Sequence, residues 1–110
     1  MREVASISKK TSDLIHAIKK SSVYNEYHSA LEELNMFPDL KALTDEFRKA
    51  KFRAYHSETS ISFKVFDELE EKRDELAEYP QIDRFLKAEL ALGRTLQEIQ
   101  NKITEAMGLD

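Results

Sequence analysis

Tyr79-Pro80-Gln81-Ile82-Asp83-Arg84-Phe85-Leu86-Lys87-Ala88-Glu89-Leu90-Ala91-Leu92-Gly93-Arg94-Thr95-Leu96, the stretch from residue 79 to residue 96, decides the fold. Proline suits the first position of a helix, because the N–H it lacks would have no intrahelical acceptor there. Beyond it, Ile82, Phe85, Leu86, Leu92, Leu96, Ile99, Ile103 and Met107 return to one face for roughly seven turns at 3.6 residues per turn. Leu90 widens that face, and Gly108 supplies a C-terminal stop signal. The spacing is not a strict heptad, so packing of globular helices is expected rather than a long coiled coil. The chain is helical here.

Working back from Pro80, the same start occurs once more. Phe37-Pro38-Asp39-Leu40 matches Tyr79-Pro80-Gln81-Ile82 in form, one helix-start chemistry used twice and not a sequence repeat. Leu40, Leu43, Phe47, Ala50 and Ala54 give the apolar face of the helix that Pro38 opens, with Asp39 favourably placed near its positive end. Ser57-Glu58-Thr59-Ser60-Ile61-Ser62 is the weakest stretch, since hydroxyl side chains compete for backbone hydrogen bonds. A kink, frayed turn or short loop is expected there, with helix resuming by Phe63 and Val65, Phe66, Leu69 and Leu76 as its apolar residues. Towards the N-terminus, Val4, Ile7, Thr11, Leu14, Ile15 and Ile18 form one stripe, and Val23, Tyr27, Ala30, Leu31 and Leu34 form another. Ser21-Ser22 lies between them as a break and a new N-cap.

Composition narrows the function classes. The 110 residues are 41% apolar and 35% charged, too apolar for disorder and rich in charge for a compact globule. No cysteine occurs, which removes disulfides, thiolate metal sites and cysteine catalysis. The opening residues Met1-Arg2-Glu3-Val4-Ala5-Ser6 have no signal-peptide core, and no apolar run nears the roughly 20 residues of a membrane span. A soluble cytoplasmic protein without membrane contact is expected. A net charge of −4 argues against a dedicated nucleic-acid binder, whose phosphate contacts need concentrated Lys and Arg. Charge is uneven, however. Residues 1–20 carry five basic and two acidic side chains, and residues 58–78 carry eight acidic and three basic. Solvated helix faces explain this, or the two segments lie against each other within or between chains.

Chemistry-bearing motifs are sparse. His16, His28 and His56 share no metal-ligand spacing, and there is no phosphate loop and no nucleophile elbow. Arg48, Lys49, Lys51 and Arg53 spread around a helix instead of forming one basic stripe. Glu89 falls near the middle of the apolar face of the last helix. A carboxylate there needs a partner or a wet interface, and a group from another helix fits better than metal or catalytic duty. Gly93, one turn on, lowers helix stability and points to close helix contact. Phe85, Leu86, Glu89, Leu92, Gly93 and Leu96 are therefore the candidate interface; no catalytic, cofactor-binding or metal residue is assigned.

Several pieces of the chain together resemble the YlbF/YmcA family of small regulators from Gram-positive bacteria. They are Ile18-Lys19-Lys20-Ser21, Tyr24-Asn25-Glu26-Tyr27, the start at Pro38 with Phe47-Arg48, and above all the run from Tyr79 to Glu89 with Glu98-Ile99-Gln100. The resemblance covers nearly the whole chain. It implies an all-helical fold, self-association and a regulatory or adaptor role, in complexes with YaaT-like and RNase Y-like partners. The processes implied are competence, sporulation, biofilm formation and mRNA processing. Family members with iron–sulfur clusters hold them on cysteines, so that property does not transfer to this chain.

The expectation is one all-α domain over 1–110 with four to five helices: a short N-terminal helical hairpin beside a long antiparallel hairpin of about 38–78 and 80–107. Its function is expected to be non-enzymatic, through protein–protein contacts as a homodimer or homo-oligomer. The alternative is an RNA-processing accessory that touches RNA through basic helix surfaces near 48–53 or 9–20.

Overall fold

The computed structural model describes residues 2–57 and 62–109. These form five helices: α1 (Arg2–Lys19), α2 (Ser22–Asn35), α3 (Pro38–Tyr55), α4 (Phe63–Leu76) and α5 (Pro80–Ala106). The expected all-α class holds, and each boundary has a local cause. Ser21 ends one helix and starts the next: its hydroxyl donates to the Ile18 carbonyl at 2.6 Å and accepts from the Tyr24 N–H at 3.2 Å. That satisfies one orphan carbonyl and one orphan amide with a single side chain. Ser21→Ala should lower stability by about 1 kcal/mol, measured by denaturant unfolding. A change indistinguishable from zero would show that the cap carries nothing.

The two proline starts are alike in geometry as well as in sequence. Pro38 follows Phe37, whose carbonyl accepts from the Lys41 N–H at 2.9 Å; Pro80 follows Tyr79, whose carbonyl accepts from the Asp83 N–H at 2.9 Å. Each helix then adds an i,i+4 ion pair at its start, Lys41–Asp45 and Lys87–Asp83. The Ser62 hydroxyl caps α4 by accepting from the Val65 N–H at 3.2 Å. The weak stretch expected at 57–62 falls between α3 and α4, and its centre, 58–61, lies outside the described residues. At the far end Gly108 takes a φ of +72°, the left-handed conformation in which glycine is at ease, and the Leu109 N–H closes onto the Thr104 carbonyl at 2.9 Å.

The chain divides into two compact units, one of residues 30–87 and one of residues 1–29 with 88–110. The first, here the core unit, contains nearly all of the buried side chains. Ala30 and Leu34 from α2, Phe47 from α3, Leu76 from α4, and Ile82, Phe85 and Leu86 from α5 are buried together with Thr44. Thr44 interrupts an apolar face, yet it is fully buried because its hydroxyl donates to the Leu40 carbonyl one turn back at 2.8 Å. α3 and α4 pack on each other within this unit. The ends of the unit are joined by an ion pair between Glu33 and Arg84, and the Arg48 guanidinium lies 5.3 Å from the centroid of the Phe85 ring. Burial of the expected α4 face is partial: Leu76 is buried, whereas Val65 and Phe66 stay more than a third exposed.

The second unit, here the terminal unit, comprises α1, the opening turns of α2 and α5 from Ala88 onward. Among its described residues Ala88 alone is buried, and α1 buries no residue at all.

Candidate protein-interaction surface

The terminal unit exposes the apolar stripes that define its helices. On α1, Val4, Ile7, Leu14 and Ile15 are all at least 40% exposed; on α5 the same is true of Leu90, Leu96 and Ile103, as it is of Met107 just beyond the helix. Ile15 and Ile18 of α1, Tyr24 of α2, and Leu92 and Leu96 of α5 meet with the stem of Lys19 around an open apolar groove of about 190 Å³. α1 supplies one wall because residues three and four apart recur on one side of a helix. Large exposed apolar faces on a folded chain mark places where something else binds.

The six residues expected to form an interface do not share one environment. Phe85 and Leu86 are buried in the core unit, where they hold α5 in place and are not open to a partner. Leu92 is half-buried and lines the apolar groove, and Leu96 beside it is exposed. Glu89 is half-buried and engaged with a neighbouring group. At Gly93, where close helix contact is expected, a Cβ added to the single chain would meet nothing within 4 Å. A mid-helix glycine is less favourable than alanine by about 1 kcal/mol, and no packing within the chain offsets this.

The basic residues of α3 also differ from expectation. Arg48, Lys49 and Arg53 do converge: with Asp45 and Phe52 they line an open groove of about 380 Å³, while Lys51 points elsewhere. A helical wheel counts directions and underestimates the reach of long side chains, which is why this groove was hidden in the sequence. Arg48 is nevertheless committed inward, towards the Phe85 ring and to the Asp45 carboxylate at 3.9 Å. The three histidines lie at the surface. His28 stacks on Tyr24, and His56 stacks on Phe52 with its Nδ1 3.0 Å from the Phe52 carbonyl oxygen. Among the described residues no cluster of three or more His, Asp or Glu side chains could hold a metal ion. Nor is any described helix long and apolar enough to cross a membrane.

Residues 7–108 match the family model described as "Control of competence regulator ComK, YlbF/YmcA". The chain belongs to this family. The match runs through all five helices of the YlbF/YmcA chain and so includes both the core that fixes α5 and the groove between α1 and α5. No curated protein and no solved structure matches significantly. Membership accounts for a regulatory role in general terms.

Proposed function

We propose that this chain is a non-enzymatic regulatory adaptor of the cytoplasm that works by binding proteins, as a homodimer or homo-oligomer and within a larger assembly. The observation that carries the reading is the family match over 7–108, joined to a terminal unit whose apolar stripes are exposed on both α1 and α5. Partners resembling YaaT and RNase Y are the first to test, with competence, sporulation, biofilm formation and mRNA processing as the processes affected. Tagged chain recovered from its native cells and analysed by mass spectrometry should bring down a partner of one of these two kinds. Recovery of neither, from cells that express both, would overturn the assignment.

A second reading rests on the groove of α3. Arg48, Lys49 and Arg53 around the exposed ring of Phe52 combine cations with a stacking surface, as single-stranded RNA binders do. If RNA is bound there, affinity falls steeply with salt and is lost in Phe52→Ala and Lys49→Ala chains. Absence of RNA binding at low salt would eliminate it.

A further inference from the structure

α3 and α4 pack on each other and are joined by the seven residues 56–62, so they run antiparallel, with the end of α3 beside the start of α4. The core stops short of that end: the last buried residue of α3 is Phe47, and the first of α4 is Leu76. Residues 51–53 and 55–57 on one side and 62–68 on the other are all exposed. Phe52, Tyr55, Phe63 and Phe66 are among them, and Phe63 is 89% exposed. Lys49, Lys51, Arg53 and Lys64, exposed as well, alternate with these rings along the two helices.

Charge is concentrated at the same place. Residues 47–66 hold five basic side chains and one acidic, whereas the rest of the chain holds twelve basic and twenty acidic. From Asp67 onward α4 is strongly acidic. The core unit therefore has one projecting end that is both positive and aromatic. Cations spread around the circumference of α3 make no stripe, but around a projecting end they face whatever meets it end-on.

A flat anionic layer matches that arrangement. A bilayer surface offers phosphate headgroups to Lys and Arg, and beneath them an interfacial zone in which aromatic side chains are stable. A nucleic acid presents its charge along a line, and the groove beside Phe52 would serve it; Tyr55, Phe63, Phe66, Lys51 and Lys64 lie outside that groove. The acidic remainder of the chain is repelled by the same layer, which leaves the basic end to make the approach. That no described helix can cross a membrane bears on spanning and not on surface attachment, which needs no long apolar run.

We propose that the joined ends of α3 and α4 dock on an anionic lipid surface. Phe63 and Phe66 enter the headgroup layer, and Lys49, Lys51, Arg53 and Lys64 lie against lipid phosphates.

The test is co-sedimentation of the full-length chain with vesicles of equal parts phosphatidylglycerol and phosphatidylcholine, at about 0.1 M salt, where charges more than roughly 10 Å apart are screened. Wild type should sediment with these vesicles and not with phosphatidylcholine alone. Lys51→Glu and Lys64→Glu should each weaken binding about tenfold or more, since each removes an attraction and adds a repulsion. Phe63→Ser should weaken it about tenfold through lost apolar contact. All three side chains are exposed, so circular dichroism should be unchanged. Lys102→Glu, the same charge change in the terminal unit, should alter binding less than about twofold.

A second measurement reports position instead of affinity. The chain has no tryptophan, so Phe63→Trp carries a single one, whose emission should move to the blue on adding the anionic vesicles. Leu109→Trp, at an exposed position in the terminal unit, should show no such move. A wild-type chain that fails to sediment with the anionic vesicles would overturn the proposal. So would binding that Lys51→Glu, Lys64→Glu and Phe63→Ser leave intact, or an emission shift at 109 and none at 63. If oligouridylate shifted the emission of the Phe63→Trp chain and vesicles did not, the end would be a nucleic-acid surface and the lipid assignment wrong. None of these outcomes decides the adaptor reading, which partner recovery tests.

Discussion

Phe85→Ala is expected to lower the free energy of unfolding by about 3–5 kcal/mol, the range for removing a fully buried aromatic side chain. The ring is fully buried between residues of α2, α3, α4 and α5 that make up the core unit. Part of the loss is apolar area returned to water, and part is the cavity that the neighbours fill only incompletely. A smaller part is electrostatic. The Arg48 guanidinium over the ring face gains on the order of 0.5–1 kcal/mol at a partly exposed site, and that contact goes with the ring. Domains of this size unfold with only about 5–15 kcal/mol in hand, so the variant should melt many degrees lower. Denaturant unfolding followed by circular dichroism measures the change. A loss under about 1 kcal/mol would contradict a packed ring. A double-mutant cycle with Arg48→Ala separates the cation's share from the cavity.

Leu34→Ala comes next, at about 3 kcal/mol. Leu34 is fully buried and anchors the end of α2, beside the Glu33 carboxylate that pairs with Arg84. The ion pair itself is worth less. Both of its side chains are more than a third exposed, and screened pairs of that kind contribute about 0.2–1 kcal/mol. Glu33→Gln should therefore be mild where Leu34→Ala is severe. Phe63→Ala provides the comparison for size: that ring is 89% exposed at the start of α4, and its removal should leave stability within about 0.5 kcal/mol of wild type. If Glu33→Gln were as costly as Leu34→Ala, α2 would be held by charge instead of by burial.

Helix boundaries in this chain are legible because their causes are local. Pro38 and Pro80 open helices, Ser21 and Ser62 cap them, and Gly108 closes the last one, each through atoms within five residues. Which apolar residues are covered is a different kind of question. The stripe of α5 reads as continuous from Ile82 to Met107, yet Ile82, Phe85 and Leu86 are buried while Leu96, Ile103 and Met107 are not. Periodicity shows which side of a helix is apolar and carries no information on how far along it a neighbour extends. For the same reason Val65 and Phe66 of α4 read as core residues and remain open.

The candidate surface was legible only in part. Leu92 and Leu96 do line the groove, but Ile15 and Ile18 belong to a stripe that the sequence offers equally well as core, and Tyr24 lies outside the stripes altogether. Thr44 shows the opposite failure, a polar residue inside the core whose only requirement is a carbonyl of its own helix. Its signal was present, since it sits four residues after Leu40 and three before Phe47 on the buried side.

The core unit is bracketed by its own chain ends, with Glu33 joined to Arg84 across 51 positions and Leu34 buried in the same core as Phe85. A ribosome delivers that core in the wrong order. Ala30 and Leu34 emerge early, and the residues of α5 that must cover them are made some 50 codons later, a delay of several seconds at about 5–20 residues per second. Until Phe85 clears the ribosome, α3 and α4 can pair, but the core they share with α2 and α5 stays open. The core thus closes only once the start of α5 has been made, and a product truncated before Ile82 would lack the residues that bury Ala30 and Leu34 and would be open to proteases.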